Sequence, residues 1–101
     1  MTTTALIITH RTLPGARDAV RRVWEEHMRP AIAANPAHAA YLYCFDDKGP
    51  DVICAFQHYA DREAPAAFMK TDAYAAYIAA VTPLLAGEPD IRVVTPIWVK
   101  G

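Results

Sequence analysis

Four histidines, five tyrosines, two tryptophans and a glutamine set between them are the residues here best suited to chemistry. Histidine titrates near neutrality and can take a proton from a phenol. His10 stands near the end of a β-branched run, and His27 lies on the apolar stripe of a helical segment. These two are the candidate general bases, and they gain weight if they meet across the mouth of one pocket. Gln57, Tyr59 and Tyr77 can orient a substrate oxygen, and Trp24, Phe68 and Tyr74 can stack on a flat ring. His58 has the opposite strand parity, and His38 falls in a connecting segment expected to face solvent.

Other chemistries lack their residues. There is no G-x-S-x-G elbow, no phosphate-binding glycine loop and no pair of carboxylates on one apolar face. With four glycines the chain offers no dinucleotide fingerprint. Cys44 and Cys54 lack metal-ligand spacing, so no metal or other cofactor is expected. Ten Lys and Arg against eleven Asp and Glu leave a net charge of −1, which is no footprint for nucleic acid. No run of about twenty apolar residues is present, so no membrane span is expected. The opening residues lack the basic region of a signal peptide, and the expectation is a cytoplasmic, reduced protein.

A chain of 101 residues, 53% hydrophobic, is one domain with enough apolar surface to build a core, residues 1–101. Ala5 to Thr12 reads as a strand stopped by Leu13-Pro14-Gly15. Arg17 to about Asn35 reads as a helix, with Val20, Val23, Trp24, His27, Met28 and Ala31 recurring on one face. Pro30 predicts a kink or break within it. Ala39 to Phe45 and Val52 to Tyr59 form a hairpin around the turn-rich 46–51 loop. Across it Cys44 and Cys54 lie opposite or one step apart, close enough for a disulfide but expected as two buried thiols.

Asp61 caps a short helix, Arg62 to Met69, and Thr71 or Asp72 caps another running to about Leu85. Ile91 to Val99 is a last strand, interrupted at Pro96. Strand, helix, strand, strand, helices, strand is the ferredoxin-like order, an α+β fold with a four-stranded antiparallel sheet and helices on one face. The other face, carrying Ile7, Cys54, Phe56 and Val93, is too apolar for water, and a second copy is expected to cover it as a homodimer.

Several stretches resemble the antibiotic biosynthesis monooxygenase family. Arg11-Thr12-Leu13-Pro14-Gly15 is similar to its strand-to-helix turn, and Asn35-Pro36 with Tyr41 and Asp46 to its second strand. Tyr59-Ala60-Asp61-Arg62-Glu63-Ala64 resembles its W-x-D-x-E-A signature, with tyrosine in the tryptophan position. Thr71, Tyr74 and Pro83-Leu84-Leu85 match its last helix. The resemblance implies a dimeric α+β barrel, and cofactor-free oxidation of a small phenolic or quinol substrate.

With strand alternation, it places a pocket between sheet and helices. Leu6, Ile8 and His10 would line it on the first strand, with Ile53, Ala55, Gln57 and Tyr59 on the third. Trp24, His27, Phe68, Tyr74 and Tyr77 would approach from the helices. Two histidines common in the family are replaced by Phe68 and Ala73. The haem-degrading branch needs polar groups where Ile8, Phe68 and Ile78 stand, which argues against haem breakdown. A non-catalytic dimeric binding protein is the alternative expectation.

Overall fold

The computed structural model describes residues 3–100. The chain runs β1 (Thr4–Arg11), α1 (Arg17–His27), α2 (Arg29–Ala34), β2 (His38–Phe45), β3 (Val52–Tyr59), α3 (Ala64–Phe68), α4 (Asp72–Val81), a 3₁₀ turn (Thr82–Leu84) and β4 (Asp90–Val94). The four strands form one antiparallel sheet in the order β2-β3-β1-β4. This is the ferredoxin-like arrangement, with the helices packed on one face.

Proline sets several boundaries. Pro30 cannot donate a backbone hydrogen bond, so the long helix predicted over 17–35 breaks at Met28 and restarts. Pro30 then occupies the second position of α2, where no donor is needed. The last strand stops at Val94, ahead of Pro96, five residues short of the predicted end. The helix expected to reach Leu85 gives way at Val81 to the 3₁₀ turn containing Pro83. The short helix expected over Arg62 to Met69 begins later, at Ala64, with Glu63 at its N-cap; Asp61 closes the turn before it, its carboxylate accepting from the backbone N–H of Glu63 at 3.0 Å and Ala64 at 2.9 Å. The Thr71 hydroxyl likewise accepts from the N–H of Tyr74 at 3.2 Å.

The sheet is best described in rows, because residues paired in register share a face. On the helix side the rows are Phe45–Ile53–His10, Tyr43–Ala55–Ile8–Ile91, Tyr41–Gln57–Leu6–Val93 and His38–Tyr59–Thr4. Val20, Met28, Phe68, Tyr77 and Val81 close over these rows, with Ile53 fully buried beneath them. Pairing with Leu6 moves Val93 to the helix side, not to the open face where plain alternation placed it. The helical layer does not reach β4, and Val93 stays 71% exposed.

One charged side chain ties the layers together. The Arg17 guanidinium donates to the carbonyl oxygens of Asp46 (3.0 Å), Gly49 (2.7 Å) and Val52 (3.2 Å) and lies 4.1 Å over the Phe45 ring. The start of α1 is thereby fixed to the β2–β3 loop through charge-assisted bonds and a cation–π contact.

On the open face Cys44 and Cys54 lie directly opposite one another in register, as free thiols. They are not the buried pair expected: Cys44 is exposed and Cys54 half-buried, because the face they share is uncovered in the single chain.

Candidate active site

Most of the chemistry-bearing residues line β2 on the helix-facing side, from His38 to Phe45. Eight rings are linked by contact: Trp24, His38, Tyr41, Tyr43, Phe45, Tyr59, Phe68 and Tyr74. Trp24 stacks on Tyr43 at 4.1 Å between centroids and tilts against Tyr41 at 5.7 Å. His38 lies 4.5 Å from Tyr59 and meets Phe68 edge to face at 4.7 Å.

Within this aromatic wall the hydrogen bonds converge on one phenol. Trp24 Nε1 donates to the Tyr41 hydroxyl at 3.3 Å, and Gln57 Nε2 donates to it at 3.4 Å. The Gln57 carbonyl oxygen accepts from the buried Tyr59 hydroxyl. With both acceptor positions of its oxygen engaged, Tyr41 keeps its own O–H free to donate.

Burial raises the pKa of Tyr41 to about 12, against the smaller opposing effect of its hydrogen bonds from Trp24 and Gln57. Tyr43, Tyr59, Tyr74 and Tyr77 are also pushed up by burial. The tyrosines therefore act near neutral pH as protonated donors and acceptors.

An apolar cleft of about 350 Å³ opens between α2 and α3. Alanines at 31, 34, 37, 64 and 67 leave the space; Phe68 forms a wall, and Asn35 and Thr71 supply polar groups. In the middle of the layer Val20, Ile53 and Val81 are fully buried in one core cluster.

Of the residues singled out from sequence, the structure joins Trp24, Gln57, Tyr59, Phe68 and Tyr74 to this cluster. Tyr77 is buried in the adjoining core. The two candidate bases stand apart. His10 is level with Ile53, four residues along β1 from the Tyr41 row, or about 13 Å at the rise of a strand. Its Nδ1 is buried without a hydrogen-bond partner. His27 is half-buried near the end of α1, with its nearest charged neighbour, Glu26, at 3.9 Å. Neither ring is paired with a ring of the eight-ring cluster among the described residues.

Sequence reasoning missed Tyr41, Tyr43 and His38. The two tyrosines carried a usable signal, since they alternate with Phe45 on a strand paired to Gln57 and Ala55. His38 did not. An irregularity at Ala39 places two residues where one would pair, so that His38 faces Tyr59 while Ala40 faces His58. Counting back by twos from Tyr41 sends His38 to the wrong face. The residue expected in solvent is instead packed among aromatic rings.

Burial lowers the pKa of both His10 and His38. The unfolded chain, whose histidines titrate near 6.5, takes up these protons first as the pH falls. Stability is therefore full above pH 6.5 and lost through the window below it, down to the lower folded-state values. Urea midpoints measured from pH 8 to pH 5 should decline below 6.5, and less steeply in a His10→Gln variant.

Among the described residues no group of three or more His, Cys, Asp or Glu could hold a metal ion, and no helix is long and apolar enough to cross a membrane.

Comparison with known proteins places the chain. A sequence profile of the antibiotic biosynthesis monooxygenase family matches residues 3–80. A crystal structure from Chloroflexus aurantiacus J-10-fl, provisionally assigned to that family, is 25% identical with a TM-score of 0.84, covering 98% of this chain and 97% of its own. The NE2512 protein of unknown function from Nitrosomonas europaea is 25% identical with a TM-score of 0.83, over 99% and 94% of the two chains. A second provisionally assigned member, from Caulobacter crescentus CB15, shares the fold at TM-score 0.88 and 21% identity, over 96% and 92%. No curated protein matches. These likenesses support a monooxygenase-like role in general terms and name no substrate. The chain belongs to the antibiotic biosynthesis monooxygenase family.

Proposed function

We propose that this protein is a cofactor-independent monooxygenase that oxidises a small, flat phenol or quinol. The observation that carries the reading is a set of unpartnered polar atoms on the aromatic helix-facing side: His10 Nδ1, the Tyr43 hydroxyl and His38 Nε2 are buried with no hydrogen-bond partner. Buried polar atoms are almost always paired, so these orphans are the candidate contacts for a bound molecule; a fourth, His58 Nε2, lies on the open face.

The substrate supplies all the electrons. Loss of the phenolic proton gives an electron-rich anion whose ring carbon bonds to oxygen, forming a hydroperoxide. Loss of water then leaves the quinone, so phenol and O₂ become quinone and H₂O. His10, neutral because burial disfavours its charged form, is the proposed proton acceptor. Tyr41, held by Trp24 and Gln57 about 13 Å along the sheet from His10, positions the far end of the substrate, and the surrounding rings exclude water from the intermediate. The role of His27 is the weaker of the two histidine assignments, because its ring lies beside Glu26 at the end of α1.

The test is oxygen uptake with quinols, naphthols and anthrones in the presence of a metal chelator. Protein-dependent uptake that survives the chelator, and that falls in a His10→Ala variant, supports the reading. Binding of these compounds with no uptake would replace it with a non-catalytic binding protein.

We further propose that the active form is a homodimer joined through the open sheet face. Ile7, Phe56 and Leu42 form an exposed apolar row across three strands of that face. The segment after β4 presents Ile97 at 94% and Trp98 at 78% exposure. Light scattering should give twice the 11.1 kDa chain mass, and Phe56→Glu should return it to one chain. A wild-type mass of 11.1 kDa would overturn the assembly.

A further inference from the structure

The irregularity at Ala39 delivers to the interior a histidine whose protonation can be read from its partners. The Asn35 side-chain oxygen accepts from the backbone N–H of Ala37 at 3.2 Å, which fixes the orientation of that amide. Its nitrogen must then donate to His38 Nδ1, 3.0 Å away. With Nδ1 acting as acceptor, the neutral ring carries its proton on Nε2. Nε2 is buried and has no partner. A donor of fixed tautomer therefore points from the end of β2 into the rings of Tyr59, Phe68 and Tyr41.

The cleft between α2 and α3 shares two of its lining residues with the surroundings of this ring. Asn35 lines the cleft and holds His38 from one side; Phe68 lines it and meets His38 edge to face. Phe68, on a helix of only five residues, is the wall that separates the cleft from the His38 ring. An unpaired N–H costs the fold free energy unless something completes it. A flat ligand entering the alanine-lined cleft oxygen-first would supply the acceptor. Because Nδ1 is already engaged, His38 is suited to donate to an anionic oxygen and not to remove its proton.

We infer that His38 Nε2–H is the hydrogen-bond donor to the ionised oxygen of a phenolic ligand that enters by the α2–α3 cleft. This deepens the function proposed above and rests on it for the ligand class. His38 becomes a specificity residue: it favours the phenolate over the ether or hydrocarbon of the same shape.

The experiment uses the full chain, ¹⁵N-labelled at histidine, with 2-naphthol and 2-methoxynaphthalene as probes. The expected result is a saturable downfield shift of the His38 Nε2 proton with 2-naphthol and not with its methyl ether. His38→Phe should weaken 2-naphthol binding about tenfold or more while leaving binding of the ether unchanged. If that variant does not fold, the wild-type shift decides alone. An unmoved Nε2 signal, or equal affinity of wild type and His38→Phe for 2-naphthol, overturns the inference. Absence of 2-naphthol binding overturns it too. Oxygen uptake on the quinol panel with an unmoved His38 signal would sink this site and spare the reaction. A saturable shift without uptake would do the reverse.

Discussion

Replacing Ile53 by alanine is expected to cost about 2–5 kcal/mol of stability. Ile53 is wholly buried, in the row between Phe45 and His10, and belongs to the core cluster with Val20 and Val81. Removing its outer carbons loses their transfer free energy, and the flanking strands hold the backbone so that the cavity cannot fully collapse. Domains of this size hold only about 5–15 kcal/mol in total, and each kcal/mol moves the melting temperature by roughly 4–8 °C. A fall of ten degrees or more in thermal melts is the expected readout. Arg22→Ala, made at an exposed side chain on α1, is the control and should leave the melting temperature nearly unchanged. A loss below about 1 kcal/mol at Ile53 would mean that the centre of the layer can repack.

The second large effect is expected at Tyr41. Tyr41→Phe keeps the ring contacts with Trp24 and His38 but removes the oxygen that accepts from Trp24 Nε1 and Gln57 Nε2. Two donors lose their acceptor at once, at a cost of about 1–3 kcal/mol for each that stays buried and unpaired. The same change removes the hydroxyl proposed to orient the substrate, and kcat/KM in the oxygen-uptake assay should fall about 10²-fold, as for loss of a positioned donor. Denaturant melts read the first effect without any substrate, so the two are separable. Unchanged turnover in a folded variant would remove Tyr41 from the reaction.

The strand order was legible because turn residues and prolines separate the strands from the helices, and Thr71 caps the last helix. Ala5 to Thr12, the 46–51 loop, Asp61 and Thr71 all mark their elements within a few residues. Legibility failed where local sequence was overruled by pairing. Val93 changed face because register with Leu6, and not its own alternation, decides where it points. His38 changed face because one extra residue at Ala39 shifts the count, and an alanine gives no sign of that. The site suffered more than the fold for the same reason. A core tolerates an error of one residue in a strand, whereas a functional histidine placed on the wrong side is lost altogether. His10 was found by parity, but its distance from the aromatic cluster depends on which row it occupies, and that is set by long-range pairing.

The position of β1 has a consequence for how the protein is made. Its strand is central, bonded on one side to β3 and on the other to β4, with Ala5 opposite Val94. Of the four strands it is made before the other three, and it waits longest for its second neighbour. Until β4 emerges, the nascent chain holds Leu6-Ile7-Ile8 along an open backbone edge, a condition that invites pairing with other chains. Truncation just before Asp90 would make that condition permanent, so a shortened product should accumulate as aggregate while the full-length chain remains in solution.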